Sequence, residues 1–137
     1  MRTWCAGSGM AGLADLPALL VQMEPVLADA PYGFGVADAV PPGLQPFALI
    51  HEAEGITVLA EVAVLAAAGI VAGEAWARIS LTVHSDLAAV GLTAAITTAL
   101  TEAGISANVV AGYYHDHVFV PWERRQDAMA ALDRFRR

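Results

Sequence analysis

Between Trp76 and Phe135 the chain changes its polarity period several times, and this stretch restricts the fold more than any other. From Ala77 to His84, Ile79, Leu81 and Val83 alternate with Arg78, Ser80, Thr82 and His84, the pattern of a strand with one buried face. The period then lengthens. Leu92, Ile96, Ala99, Leu100 and Ala103 make the buried stripe of a helix over 89–103, with Thr97, Thr101 and Glu102 outward. Ser85 or Asp86 is placed to cap that helix, and Gly104 to stop it. Ser106 to Tyr114 and His117 to Pro121 read as a hairpin around residues 114–117. Glu123 to Phe135 reads as a last helix with Ala128, Leu132 and Phe135 inside.

The first half carries the same kinds of element with weaker punctuation. Residues 1–12 form a leader rich in glycine and small residues, in which Trp4 is the one side chain worth burying. Leu16, Leu19, Leu20, Met23 and Leu27 have helical spacing, with Asp15 as N-cap, Pro17 in the first turn and Pro25 ending the helix near Glu24. Tyr32 to Val36 alternates as a short strand, and the prolines between Ala37 and Pro46 mark a loop. Pro46 to His51 and Ile56 to Leu59 form a hairpin across residues 52–55, and Glu61 to Ala68 is a short helix ended by Gly69. The two halves echo each other as strand, tight turn, strand and helix, with a glutamate opening each helix. The expected organisation is a leader (1–12), a first unit (13–72) and a second unit (76–137).

Composition removes several function classes. A formal net charge of −7, with the few basic residues gathered at the C-terminus, offers no basic stripe for nucleic acid. Cys5 is the single cysteine, so there is no internal disulfide or thiolate metal cluster, and a reducing cytoplasmic location is expected. The longest apolar run, Val58 to Gly73, is broken by Glu61 and too short to span a bilayer. Apolar residues make up 57% of the chain and charged ones 15%, which points to burial against another unit or subunit and hence to a homo-oligomer.

The strings TVHSDLAAVGLTAAITTAL (82–100) and GISANVVAGYYHDHVFVP (104–121), with EAEGITVL (52–59) upstream, resemble the ACT family, in particular small stand-alone bacterial proteins with two tandem ACT units. More distantly the chain is similar to the tandem-ACT cytosolic arginine sensors of animals. The resemblance implies an α+β fold of two incomplete ferredoxin-like units of βαββαβ type, with antiparallel sheets covered by helices on one face. It also implies regulation by an amino acid held at the seam between units, without catalysis and without a cofactor. No final strand follows Phe135, and the first unit lacks an initial strand, so the sheet edges are expected to be completed by the other half or by another chain.

The expected ligand site is the turn from His84 to Thr93. A helix start exposes amide donors, Gly91 lets a carboxylate approach, and Ser85 and Thr93 add hydroxyls. Val90 and Leu92 lie in the same turn. Asn108 would read the amine or side chain, and Ile105 and Ala107 would contribute backbone groups. The alternative is that Ser85 only caps the helix and Gly91 only permits close packing. His115, Asp116 and His117, with His84 or His51, suggest a metal site, but a polar hairpin tip is the preferred account of them. Glu52 and Glu54 have no neighbouring nucleophile and read as a solvated turn. Trp76, Tyr113, Tyr114, Phe119 and Trp122 are expected to pack an interface. A structural oligomerisation module is the competing role.

Overall fold

The computed structural model describes residues 15–83 and 90–136. In chain order the elements are α1 (Leu16–Gln22), β1 (Pro25–Leu27), β2 (Tyr32–Ala37), β3 (Ala48–Glu52), β4 (Gly55–Glu61), α2 (Val62–Ala67), β5 (Trp76–Leu81), α3 (Leu92–Glu102), β6 (Asn108–Ala111), β7 (Asp116–Pro121) and α4 (Arg125–Asp133). Single 3-10 turns precede and follow α4.

Contacts divide the chain differently from the order of the sequence. Among the described residues, 15–28 join 78–136 in one unit, and Asp29–Ala77 form another. The reason is β1. Pro25, Val26 and Leu27 pair antiparallel with Leu81, Ser80 and Ile79 of β5, and the Ala28 amide donates to the Arg78 carbonyl at 2.9 Å. The strand that closes the larger unit precedes the smaller one in the chain.

In the larger unit the strand order is β1-β5-β7-β6, with α3 bridging β5 and β6. That is the antiparallel order of a ferredoxin-like βαββαβ unit whose last strand is supplied from upstream. Along β5, Ala77, Ile79 and Leu81 are buried and Trp76, Arg78 and Ser80 half-buried. α3 and α4 pack on each other, and α4 also meets β1 and β7. Ile96, Leu100, Val118, Val120, Ala128 and Leu132 are buried between these layers, each large side chain contributing about 1.5–3 kcal/mol. Ala103, expected in the buried stripe of α3, is its exposed C-cap.

The smaller unit holds the same strand logic with one helix fewer. β3-β4-β2 is antiparallel throughout, and Tyr32 at the start of β2 pairs with Trp76. The crossover from β2 to β3 is a loop over 38–47, where the larger unit has a helix. Val58, Ala60, Leu65 and Ile70 form its core. Gly33 and Gly35 place bare backbone beneath α2 and the segment after it. A methyl at Gly35 would stand 2.4 Å from Ile70 Cγ2 and 3.0 Å from the Val71 carbonyl oxygen.

One capping device recurs. After α2 and after α3 a glycine takes the left-handed conformation, Gly69 at φ 71° and Gly104 at φ 72°. Ile70 and Ile105 then turn back to donate to Leu65 and Leu100, both at 2.9 Å. This is the Schellman arrangement, with a buried apolar residue just past the glycine. At the far side of α3's end the Arg124 guanidinium donates to the Ala103 and Gly104 carbonyls while pairing with Asp127, placing a cation at the negative helix end.

Gly35→Ala should cost about 1–3 kcal/mol, because the methyl overlaps the core side chain of Ile70 and the Val71 carbonyl beside it is backbone. Chemical denaturation against the wild type checks this.

Candidate functional site

The turn before α3 begins with Val90, whose side chain is 85% exposed. Gly91 is the N-cap at φ 98° and ψ −15°, a left-handed geometry that favours glycine. The Gly91 carbonyl accepts from the Ala95 amide at 2.9 Å, so the helix proper starts at Leu92. The amides of Leu92, Thr93 and Ala94 then have no intrahelical acceptor, and Gly91 has no side chain to offer them one. Thr93 is exposed, whereas Leu92 points into the core. Ser85, together with Asp86 and His84, lies outside the described residues.

Gly91 also has a packing role. A β-carbon there would lie 3.0 Å from Leu16 Cδ2, so α1 rests on this turn. The glycine thus serves the backbone conformation and the α1 contact at once.

The strand-side residues separate. Ile105 is buried, and its amide donates to the Leu100 carbonyl at 2.9 Å. Ala107 is half-buried. Asn108 is exposed at the first position of β6, paired across from Phe119.

The hairpin differs from its expected register. Ala111 pairs with Asp116, so the turn is Gly112 to His115, closed by the Gly112 amide donating to the His115 carbonyl at 2.9 Å. His117 is therefore a strand residue, not a tip residue. Its Nδ1 lies 2.7 Å from the Ser80 hydroxyl, and its Nε2 would stand 3.4 Å from a β-carbon on Gly112. The closest atom to such a β-carbon is the His115 carbonyl oxygen at 2.8 Å, so it is the turn's own backbone that requires glycine at 112. Burial lowers the His117 pKa, and the charges of Arg78 and His115 lower it further. Burial raises the pKa of Asp116, partly offset by His115. Among the described residues no group of three or more His, Cys, Asp or Glu side chains is arranged to hold a metal ion.

Of the aromatic residues, Tyr113 and Tyr114 meet edge-on at the exposed tip, Arg125 lies over Trp122, Trp76 meets Phe34, and Phe119 is wholly buried. In the smaller unit a cleft of about 450 Å³ opens beside α2, lined by Pro41, Pro42, Leu44, Val64 and Ala68 among others. Sequence reading gave no sign of it, since it arises where a loop replaces a helix. No helix among the described residues is long and apolar enough to cross a membrane.

The ACT-domain family is matched twice, over residues 11–77 and over residues 71–134. A crystal structure of a Vibrio cholerae protein of unknown function, described as a possible transport protein, is 44% identical with a TM-score of 0.80, over 89% of this chain and 96% of that one. An Agrobacterium tumefaciens protein is 12% identical with a TM-score of 0.71, over 84% and 90%. The ligand-free regulatory subunit of aspartate kinase from Thermus thermophilus is 14% identical with a TM-score of 0.58, over 84% and 97%. At such identities the last two show a shared fold. No curated protein matches.

Gly91→Ala should destabilise the protein by about 1–2 kcal/mol with no ligand present, from the left-handed backbone alone. Thermal and urea unfolding measure it. The folded state resists protonating His117, so His117 contributes no penalty above its ordinary pKa of 6.5 and an increasing one as pH falls below that value. Asp116 acts oppositely in a lower window, costing stability as pH rises past 3.8. His117→Gln should therefore lose less stability than the wild type between about pH 7.5 and about pH 5.5, read from denaturation midpoints.

Proposed function

The chain belongs to the ACT-domain family, and on that footing we propose that it is a non-catalytic regulatory protein that binds an amino acid. The carboxylate is received at the turn Val90 to Thr93. The observation that carries this reading is the start of α3: a glycine N-cap, an exposed approach at Val90, and three first-turn amides without intrahelical acceptors. The helix dipole adds partial positive charge at that point. Ser85 supplies a hydroxyl, and Asn108 and the backbone of Ala107 bind the amine or side chain, completing the site at the seam between two ACT units. Binding holds one arrangement of units or subunits over another, a population shift read by a separate protein. The protein acts in the cytoplasm as a homodimer, without a cofactor.

The Leu16 contact on Gly91 favours a second reading, in which the turn is purely structural and the protein is an oligomerisation module. Ligand titration separates the two.

Calorimetric titration with each of the twenty amino acids at millimolar concentration should give heat and a raised melting temperature for at least one. Val90→Glu puts a carboxylate at the mouth of the turn without touching the core. It should weaken that binding about tenfold or more, equivalent to about 1.4 kcal/mol, while the free protein melts as before. If no amino acid produces either heat or a thermal shift, the sensor reading is wrong and the structural module stands.

A further inference from the structure

Where the smaller unit has a loop in place of a helix, it carries a groove with two chemically different ends. The cleft of about 450 Å³ beside α2 is walled by Pro41, Pro42, Leu44, Val64, Ala67 and Ala68 among others. Through Gln45 and Val64 it adjoins a depression of about 240 Å³ lined also by Tyr32, Phe47 and Glu61. We propose that this groove binds a small organic cation, an amine with an apolar tail and no carboxylate, with its ammonium group at Glu61 and its tail beside α2.

The charge pattern carries the assignment. Among the described residues, Glu61 is the one charged side chain in either lining, and no lysine, arginine or histidine stands with it. It is exposed, and although it is the N-cap of α2 its side chain makes no capping hydrogen bond. Tyr32 is its direct cross-strand partner, which sets the phenol ring beside the carboxylate, and Tyr32 meets Phe47 edge-on at 5.9 Å. A carboxylate next to aromatic walls suits an ammonium group, and the net charge of −7 draws cations to the chain. An α-amino acid is disfavoured, because its own carboxylate would lie against Glu61. The other end suits methylene groups. Leu44, Val64 and Ala68 also pack on the core beneath, so the floor is fixed. Pro41 and Pro42 have no amide hydrogen, and the Leu44 amide donates to the Pro41 carbonyl at 3.2 Å. That bond closes a turn with Pro42 and Gly43 at its centre, Gly43 at φ 78°, so the loop wall is set before a ligand arrives. Small-molecule pockets run from about 300 to about 1,000 Å³, and the cleft falls in that range.

The test follows the backbone amides of Gln45, Val64 and Ala68 by NMR in the full chain. One titration uses hexylammonium chloride and another sodium hexanoate at matched ionic strength. Hexylammonium should shift these amides saturably, and hexanoate should not. Glu61→Gln keeps the shape and removes the charge, and should weaken hexylammonium binding about tenfold. Ala67→Leu fills the tail end from an exposed position on α2 and should weaken it as well. Should either variant fail to fold, the contrast between hexylammonium and hexanoate on the wild type decides. No saturable shift with hexylammonium overturns the site, as does an equal shift with hexanoate. Undiminished binding in Glu61→Gln overturns the ammonium assignment, and undiminished binding in Ala67→Leu overturns the placement of the tail. Hexylammonium has no carboxylate, so none of these outcomes depends on whether the turn at Gly91 receives an amino acid.

Discussion

β5 is the strand on which the larger unit depends. It is paired on one side with β1 and neighboured on the other by β7, so its backbone donors and acceptors are used in both directions. Its alternation sends Ala77, Ile79 and Leu81 into the core and leaves Arg78 and Ser80 on the opposite face. Disturbing its register by a single residue would exchange those two sets, burying a guanidinium and exposing the apolar row. The hydrophobic pattern thus specifies at once where the core lies and where polar chemistry is available.

Two kinds of helix terminus divide the remaining labour. At their C-terminal ends α2 and α3 are sealed by a glycine and an isoleucine that satisfy the last carbonyls locally, and Arg124 adds two further donors behind α3. The N-terminal end of α3 has glycine where a serine, threonine or aspartate would ordinarily accept from the first amides. One end of the same helix is chemically closed by its own neighbours, and the other has a cap with no acceptor side chain. Such asymmetry costs helix stability at the start of α3, and the packing of Leu16, Leu92 and Ile96 compensates for it.

Much of this was legible in the sequence because the signals are local. The alternation of β5, the stripe of Leu92, Ile96, Ala99 and Leu100, the prolines of the 38–47 loop, and Gly69 and Gly104 as stops each act within a few residues. The misread features depend on distant partners. Pro25-Val26-Leu27 is too short to announce a strand, and its proline is acceptable only because it stands first, where the missing donor breaks no interior ladder. The turn of the second hairpin lacks a strong two-residue signal such as Asn-Gly, and Gly112 is explained only once the His115 carbonyl is seen against it. As for the candidate ligand turn, Gly91 was visible but Leu16 was not, because nothing in the spacing brings α1 to it.

The bond between the Ala28 amide and the Arg78 carbonyl has an architectural consequence. The peptide leaves the larger unit after Ala28 and returns to it at Arg78, through residues that are hydrogen-bonded to each other. Loop-closure entropy grows only slowly with the length of such an excursion, by about 0.6 kcal/mol for each doubling. On entropy alone, the closure made by β1 on β5 is therefore little affected by how many residues separate the two strands.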